Sequence, residues 1–139
     1  MNIQKVKQGA KITYYNGIFM ILFGIYFIAF IALNMKTSFS SINQLWGFFS
    51  RFNTEITYLF YLFNILIGIL LIAQGITITY LSDFIVKRKD KMTWVILFIN
   101  GLITWAGLLT ITFLLKNLYL MIPSLIGWLT FIIGMLIPI

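Results

Sequence analysis

The chain has 139 residues, of which 61% are hydrophobic and only 9% charged, with 10 Lys and Arg against 3 Asp and Glu for a net charge of +7. A soluble domain is about 45–50% apolar and about 25% charged, so a water-soluble fold is excluded and the chain reads as one all-α integral membrane domain over 1–139. Cys and His are both absent, which excludes disulfides, thiolate nucleophiles, Cys/His metal sites and histidine-ligated haem; no metal and no cofactor is expected.

A membrane span needs about 20 apolar residues, and four runs qualify, predicting a four-helix transmembrane bundle with spans at about 12–33, 56–81, 93–115 and 118–139. The first follows Lys5, Lys7 and Lys11. It is too long for the apolar core of a signal peptide and lacks a small-x-small cleavage site, so it is read as a retained span. Next comes the first outer loop, from Asn34 to Thr54. Its segment SINQLWGFFSRF predicts a short amphipathic helix at about 41–53. At ~100° per residue, Ile42, Leu45, Trp46, Phe48, Phe49 and Phe52 fall on one side. Ser41 and Gln44 have capping-box spacing. Such a helix is expected to lie in the membrane interface, as an anchor or as a lid.

The second span, FNILIGILLIAQG at its centre, is followed by the loop SDFIVKRKDK, which carries Lys87, Arg88, Lys89 and Lys91. Together with Lys5, Lys7 and Lys11 these place seven cations on one side. Lys36, Arg51 and Lys116 lie on the other. Lys and Arg are retained on the cytoplasmic side, so both termini are expected there, in a cell membrane or the inner membrane of an organelle. The cations flank apolar runs, which points to topology and anionic lipid as their partner and not to nucleic acid. The third and fourth spans are separated by so few residues that they must form an antiparallel hairpin. Pro123 is expected in the first turn of the fourth, where a missing N–H costs little.

Eight of the 10 glycines lie inside the spans, as the pairs Gly17/Gly24, Gly68/Gly75, Gly101/Gly107 and Gly127/Gly134. A seven-residue step returns to nearly the same helix face, and small residues let helices approach closely in lipid. Spans one, two and four are therefore expected to pack at both of their glycines. In span three, Gly107 shares a stripe with Asn100 and Thr104, and Gly101 lies off it.

The deep polar residues Asn16, Asn64, Gln74, Asn100 and Thr104 are expected to bond across helices. In the alternative, Asn64, Gln74 and Asn100 together line a water-accessible cleft for a lipid headgroup, a quinone-like molecule or a neutral solute. The deeper Trp105 and Trp128 each call for a polar neighbour or lipid near the outer half. No Asp, Glu, Lys or Arg lies at mid-depth. Proton-coupled carriers need an intramembrane titratable relay, and many cation channels need charged rings; both are disfavoured. The carboxylates are peripheral. Glu55 stands four residues after Arg51, and Asp83 four before Lys87, at ion-pair spacing, whereas Asp90 stands among the basic residues.

RFNTE (Arg51–Glu55) resembles the Arg, Asn and Glu at the start of the second span in the membrane-associated eicosanoid and glutathione metabolism proteins. The resemblance implies a glutathione-binding enzyme of lipid metabolism. The gaps depart from that pattern: one residue each here, three and two in the family. Three functions follow in order. The first is a non-catalytic accessory subunit that packs with other membrane subunits or with itself among membrane lipids. The second is a small carrier or channel for a lipid-like or uncharged solute, and the third is the enzyme.

Overall fold

With no water in the bilayer core, each backbone N–H must find its acceptor within its own segment, so long apolar runs fold as helices. The computed structural model describes residues 3–42, 45–88, 90–114 and 116–137. In chain order they form α1 (Ile3–Ala29), α2 (Ile31–Ile42), α3 (Trp46–Phe52), α4 (Thr54–Arg88), α5 (Lys91–Leu114) and α6 (Leu118–Leu136). No strand occurs among the described residues. α1, α4, α5 and α6 are each long and apolar enough to cross a membrane, so the chain is an all-α membrane bundle of four spanning helices.

α1 and α4 run antiparallel and meet backbone to backbone. A Cβ placed on Gly24 would come within 2.6 Å of the Gly68 carbonyl oxygen, and one on Gly75 within 2.7 Å of the Gly17 carbonyl. All four glycines are therefore required by the approach, as their spacing predicts. On the opposite flank α6 packs on α1 and α5. Gly134 lies against Thr13 and Ile12, and Gly127 lies beneath the Trp105 ring.

Span three departs from expectation. Its close glycine is Gly101, where any Cβ would strike the Phe131 ring, while Gly107 has nothing within 4 Å and faces outward. Trp105 decides this. It is fully buried together with Leu97, and these two share a helix face with Gly101 at four-residue steps. The Asn100, Thr104 and Gly107 stripe turns away from that face.

The region after α1 also differs from the sequence reading. Phe30 interrupts the helix, yet its N–H still donates to the Tyr26 carbonyl and its carbonyl accepts from Asn34. The chain therefore continues as α2, and residues read as the start of a loop are helical. The helix expected at 41–53 is only Trp46–Phe52, and Ser41 belongs to the end of α2. The capping-box side chains of Ser41 and Gln44, and the side chain of Ile42, lie outside the described residues, as does Lys89. Leu45 precedes α3 with no side-chain cap. Aromatic packing holds α3 instead: Phe39 meets Trp46 and Phe49 at ring distances of 4.9 Å each, and Phe49 stacks on Phe60 of α4. Trp46 is buried and Phe49 half-buried, whereas Leu45, Phe48 and Phe52 point outward.

The turns follow local chemistry. Asp83 pairs with Lys87 at 2.9 Å, as its spacing predicts, and this is the only ion pair among the described residues. Arg51 and Glu55 do not pair, because Asn53 breaks the helix between them. Asp90 starts α5. Its carboxylate accepts from the Thr93 hydroxyl at 2.6 Å and from the Met92 N–H at 3.1 Å. Lys116 takes a left-handed φ of 54° to reverse the chain, and Asn117 caps α6 by accepting from the Tyr119 N–H. Pro123 lies one turn deeper than expected, inside α6, and so removes the bond its N–H would have given to the Tyr119 carbonyl.

Two outcomes follow. Gly24→Leu places a side chain against backbone that has nowhere to move, an overpacking that costs about 1–3 kcal/mol or more. Gly107→Leu meets open space. Thermal unfolding in detergent, followed by circular dichroism, is expected to drop by several degrees for the first and to stay within a degree or so for the second. The second outcome concerns pH. The Thr93 hydroxyl, and then the Met92 N–H, hold the Asp90 carboxyl below the usual carboxylate range. Such a group stabilises the fold above its ordinary pKa and loses that contribution as pH falls through the lowered value. The stability difference between wild type and Asp90→Ala is therefore present at pH 6 and shrinks below about pH 4.

Candidate functional site

Two sets of polar side chains lie inside the spans, and one cavity lies beside them. The first set is a buried knot on Asn16 of α1. Its Nδ2 donates to the Gly127 carbonyl at 2.8 Å and to the Thr130 hydroxyl at 2.9 Å. Its Oδ1 accepts from the Trp105 indole N–H at 2.8 Å. One amide thus joins α1, α5 and α6. The Trp105 ring covers Gly127 and stacks with Phe19 and with Phe23, with centroids 6.0 and 6.4 Å away. Nearer the termini the Ser82 hydroxyl of α4 donates to Thr13 of α1 at 2.8 Å, a link the sequence did not flag.

The second set is Gln74 of α4 donating to Asn100 of α5. The bond is half-buried and spans the α4–α5 interface, which is lighter than those of α1 with α4, α1 with α6 and α5 with α6. Thr104, expected to bond across helices, returns its hydroxyl to the Asn100 carbonyl of its own helix at 2.9 Å. Its position one turn above Asn100 puts that carbonyl nearest.

Asn64 stands apart from both sets. It lines a cavity of about 480 Å³ at the end of the bundle distal to the termini. The walls come from five helices: Phe27 of α1, Met35 and Ser38 of α2, Asn64 and Ile67 of α4, Leu108 and Thr112 of α5, and Leu120 of α6. The floor is sealed, with Phe27 4% and Leu120 2% exposed. The mouth is not: Phe63 of α4 is 54% and Ile111 of α5 58% exposed. The opening therefore faces sideways between α4 and α5, toward where lipid chains would lie. Asn64, Gln74 and Asn100 do not converge on one water-filled cleft, because two of them satisfy each other and the third lines an apolar space.

Within that space polar groups are few. Asn64 Nδ2 donates to Met35 Sδ and, at 3.4 Å, to the Phe60 carbonyl of its own helix. Asn117 donates from Nδ2 to Ser38 Oγ at 2.9 Å. The Thr112 hydroxyl donates to the Leu108 and Leu109 carbonyls. Among the described residues no charged side chain lines the cavity. Elsewhere, Asn34 of α2 is buried with neither amide atom hydrogen-bonded among the described residues.

The remaining candidates lie at the surface. Lys5, Lys7, Lys11, Lys87, Arg88 and Lys91 are exposed or near-exposed around the end of the bundle that carries the start of α1 and the end of α4. Lys7 and Lys11 border a shallow recess with Tyr14, Ser82 and Asp83. Arg51 and Glu55, with Asn53 between them, are exposed at the α3–α4 joint at the other end.

Replacing Asn16 by Leu strands the Trp105 N–H in a site with no exposure to solvent, at a cost of about 1–3 kcal/mol. Replacing Gln74 by Leu removes one half-buried interhelical bond, at about 0.6–1.7 kcal/mol. Unfolding in detergent is expected to rank Asn16→Leu clearly below Gln74→Leu; equal losses would remove the knot from its central place. No protein-family model matches this chain, and no match is found among curated proteins or solved structures.

Proposed function

We propose that this is a non-catalytic membrane protein whose work is to hold a lipid-like molecule, the first requirement of a small carrier. The observation that carries this reading is the apolar, laterally open cavity of about 480 Å³. Ligand sites run to about 300–1,000 Å³, mostly apolar with a few placed polar groups. Its mouth residues Phe63 and Ile111 face the same way as the apolar outer surface, so an occupant enters from lipid without crossing water. The non-catalytic part is supported by how the span polar groups are used: Asn16, Gln74, Asn100 and Thr104 are all engaged in bonds that hold helices or their own turns.

A second reading, an accessory subunit or self-associating protein, is favoured by α5. Its Ile103 is exposed on the outer surface beside Gly107, which has nothing packed on it among the described residues. The other span glycines are occupied within the chain and support no outside partner.

Native mass spectrometry after gentle release from the membrane separates the two. A monomer carrying lipid-sized mass, lost on Leu108→Trp or Ile67→Trp at unchanged thermal midpoint, is the expected result. A lipid-free monomer sinks the binding reading. A second protein chain that departs on Gly107→Leu establishes the subunit reading.

A further inference from the structure

We propose that the occupant of the cavity is a neutral lipid bearing a free hydroxyl group, in the class of long-chain alcohols, isoprenols and diacylglycerols; this rests on the binding reading above and names its ligand. The argument is an inventory of donors and acceptors. A carboxylate or phosphate is excluded first. Among the described residues no Lys or Arg lines the space, and an ion in an apolar site without a partner is strongly disfavoured.

Among neutral ligands the cavity discriminates by hydrogen-bond direction. Asn64 uses its Nδ2 on Met35 Sδ and the Phe60 carbonyl, while its Oδ1 accepts no bond among the described residues. Thr112 spends its single proton on its own helix, so its oxygen has lone pairs only. Ser38 Oγ already accepts from Asn117, and Ser38 is engaged in a further interaction besides, so it is not counted as free for a ligand. The polar atoms left for a ligand at Asn64 and Thr112 are thus acceptors. A hydroxyl satisfies one of them. A pure ester or ketone brings lone pairs against lone pairs, and an alkane leaves the Asn64 oxygen unpaired in a nearly dry site. The rest of the ligand is apolar chain, which the floor of Phe27, Met35 and Leu120 accommodates.

The test uses the delipidated full-length protein in dodecyl maltoside micelles, equilibrated separately with radiolabelled 1-hexadecanol, methyl palmitate and hexadecane. Hexadecanol is expected to be retained about tenfold more tightly than either of the others, the discrimination that one hydrogen bond in such a site supplies. In Asn64→Leu the three are expected to bind within about twofold of one another, with hexadecane retention unchanged or improved. Should Asn64→Leu fail to fold, Thr112→Val is compared for a partial loss of the same preference. Comparable binding of all three probes by the wild type overturns the hydroxyl assignment and leaves the cavity reading standing. Binding of none overturns both.

Discussion

The bundle depends on the three hydrogen bonds of one side chain. In lipid, helices gain nothing from hiding apolar surface from one another, so their register is set by close fit and by the few polar groups that must be paired. Asn16 supplies both kinds of constraint. Its amide needs a donor and an acceptor partner, and it finds them on two different helices, Trp105 on α5 and the Gly127 backbone on α6. The indole that pairs with it then occupies the space in front of Gly127. The positions of α5 and α6 relative to α1 are thus fixed by the same contact that keeps a buried N–H satisfied.

That contact, the Gly17–Gly75 end of the α1–α4 seam and the Gly101–Phe131 and Gly134–Thr13 approaches lie in the middle of the bundle or toward the termini, and the Gly24–Gly68 approach comes just before Phe27 and Ile67 of the cavity. Beyond them the helices carry large residues, Phe27, Met35, Phe60 and Leu120, which hold the backbones apart. The break at Phe30 gives α2 its own start, and the aromatic cluster of Phe39, Trp46 and Phe49 closes the distal end over it. The cavity is what remains between a tightly fitted half and this cap.

How much of this could be read from sequence depended on whether the signal named a partner or only a face. Gly17, Gly24, Gly68, Gly75, Gly127 and Gly134 were legible because a seven-residue step puts both glycines of a helix on one side. Gly101 was not, since periodicity favoured the Asn100–Gly107 stripe and the seating of Trp105 chose the other face. Asn64, Gln74 and Asn100 looked alike as deep amides, and nothing local told which would meet another amide and which would face a void. The helix of α2 was hidden by polar residues such as Asn34, Lys36 and Ser38 that read as loop. The cap on α5 had a signal that went unused: Asp90 followed three residues later by Thr93, with helix-forming residues beyond.

α4 has 35 residues, about 52 Å of helix at 1.5 Å per residue, set in a hydrocarbon layer of about 30 Å. A helix longer than the layer it crosses leans or protrudes. Because α1 touches α4 backbone to backbone at two levels, the pair leans as one body and takes the α4 wall of the cavity with it. Bilayer thickness then sets the angle at which the mouth meets the surrounding chains, so the same protein presents its opening differently in a thin membrane and in a thick one.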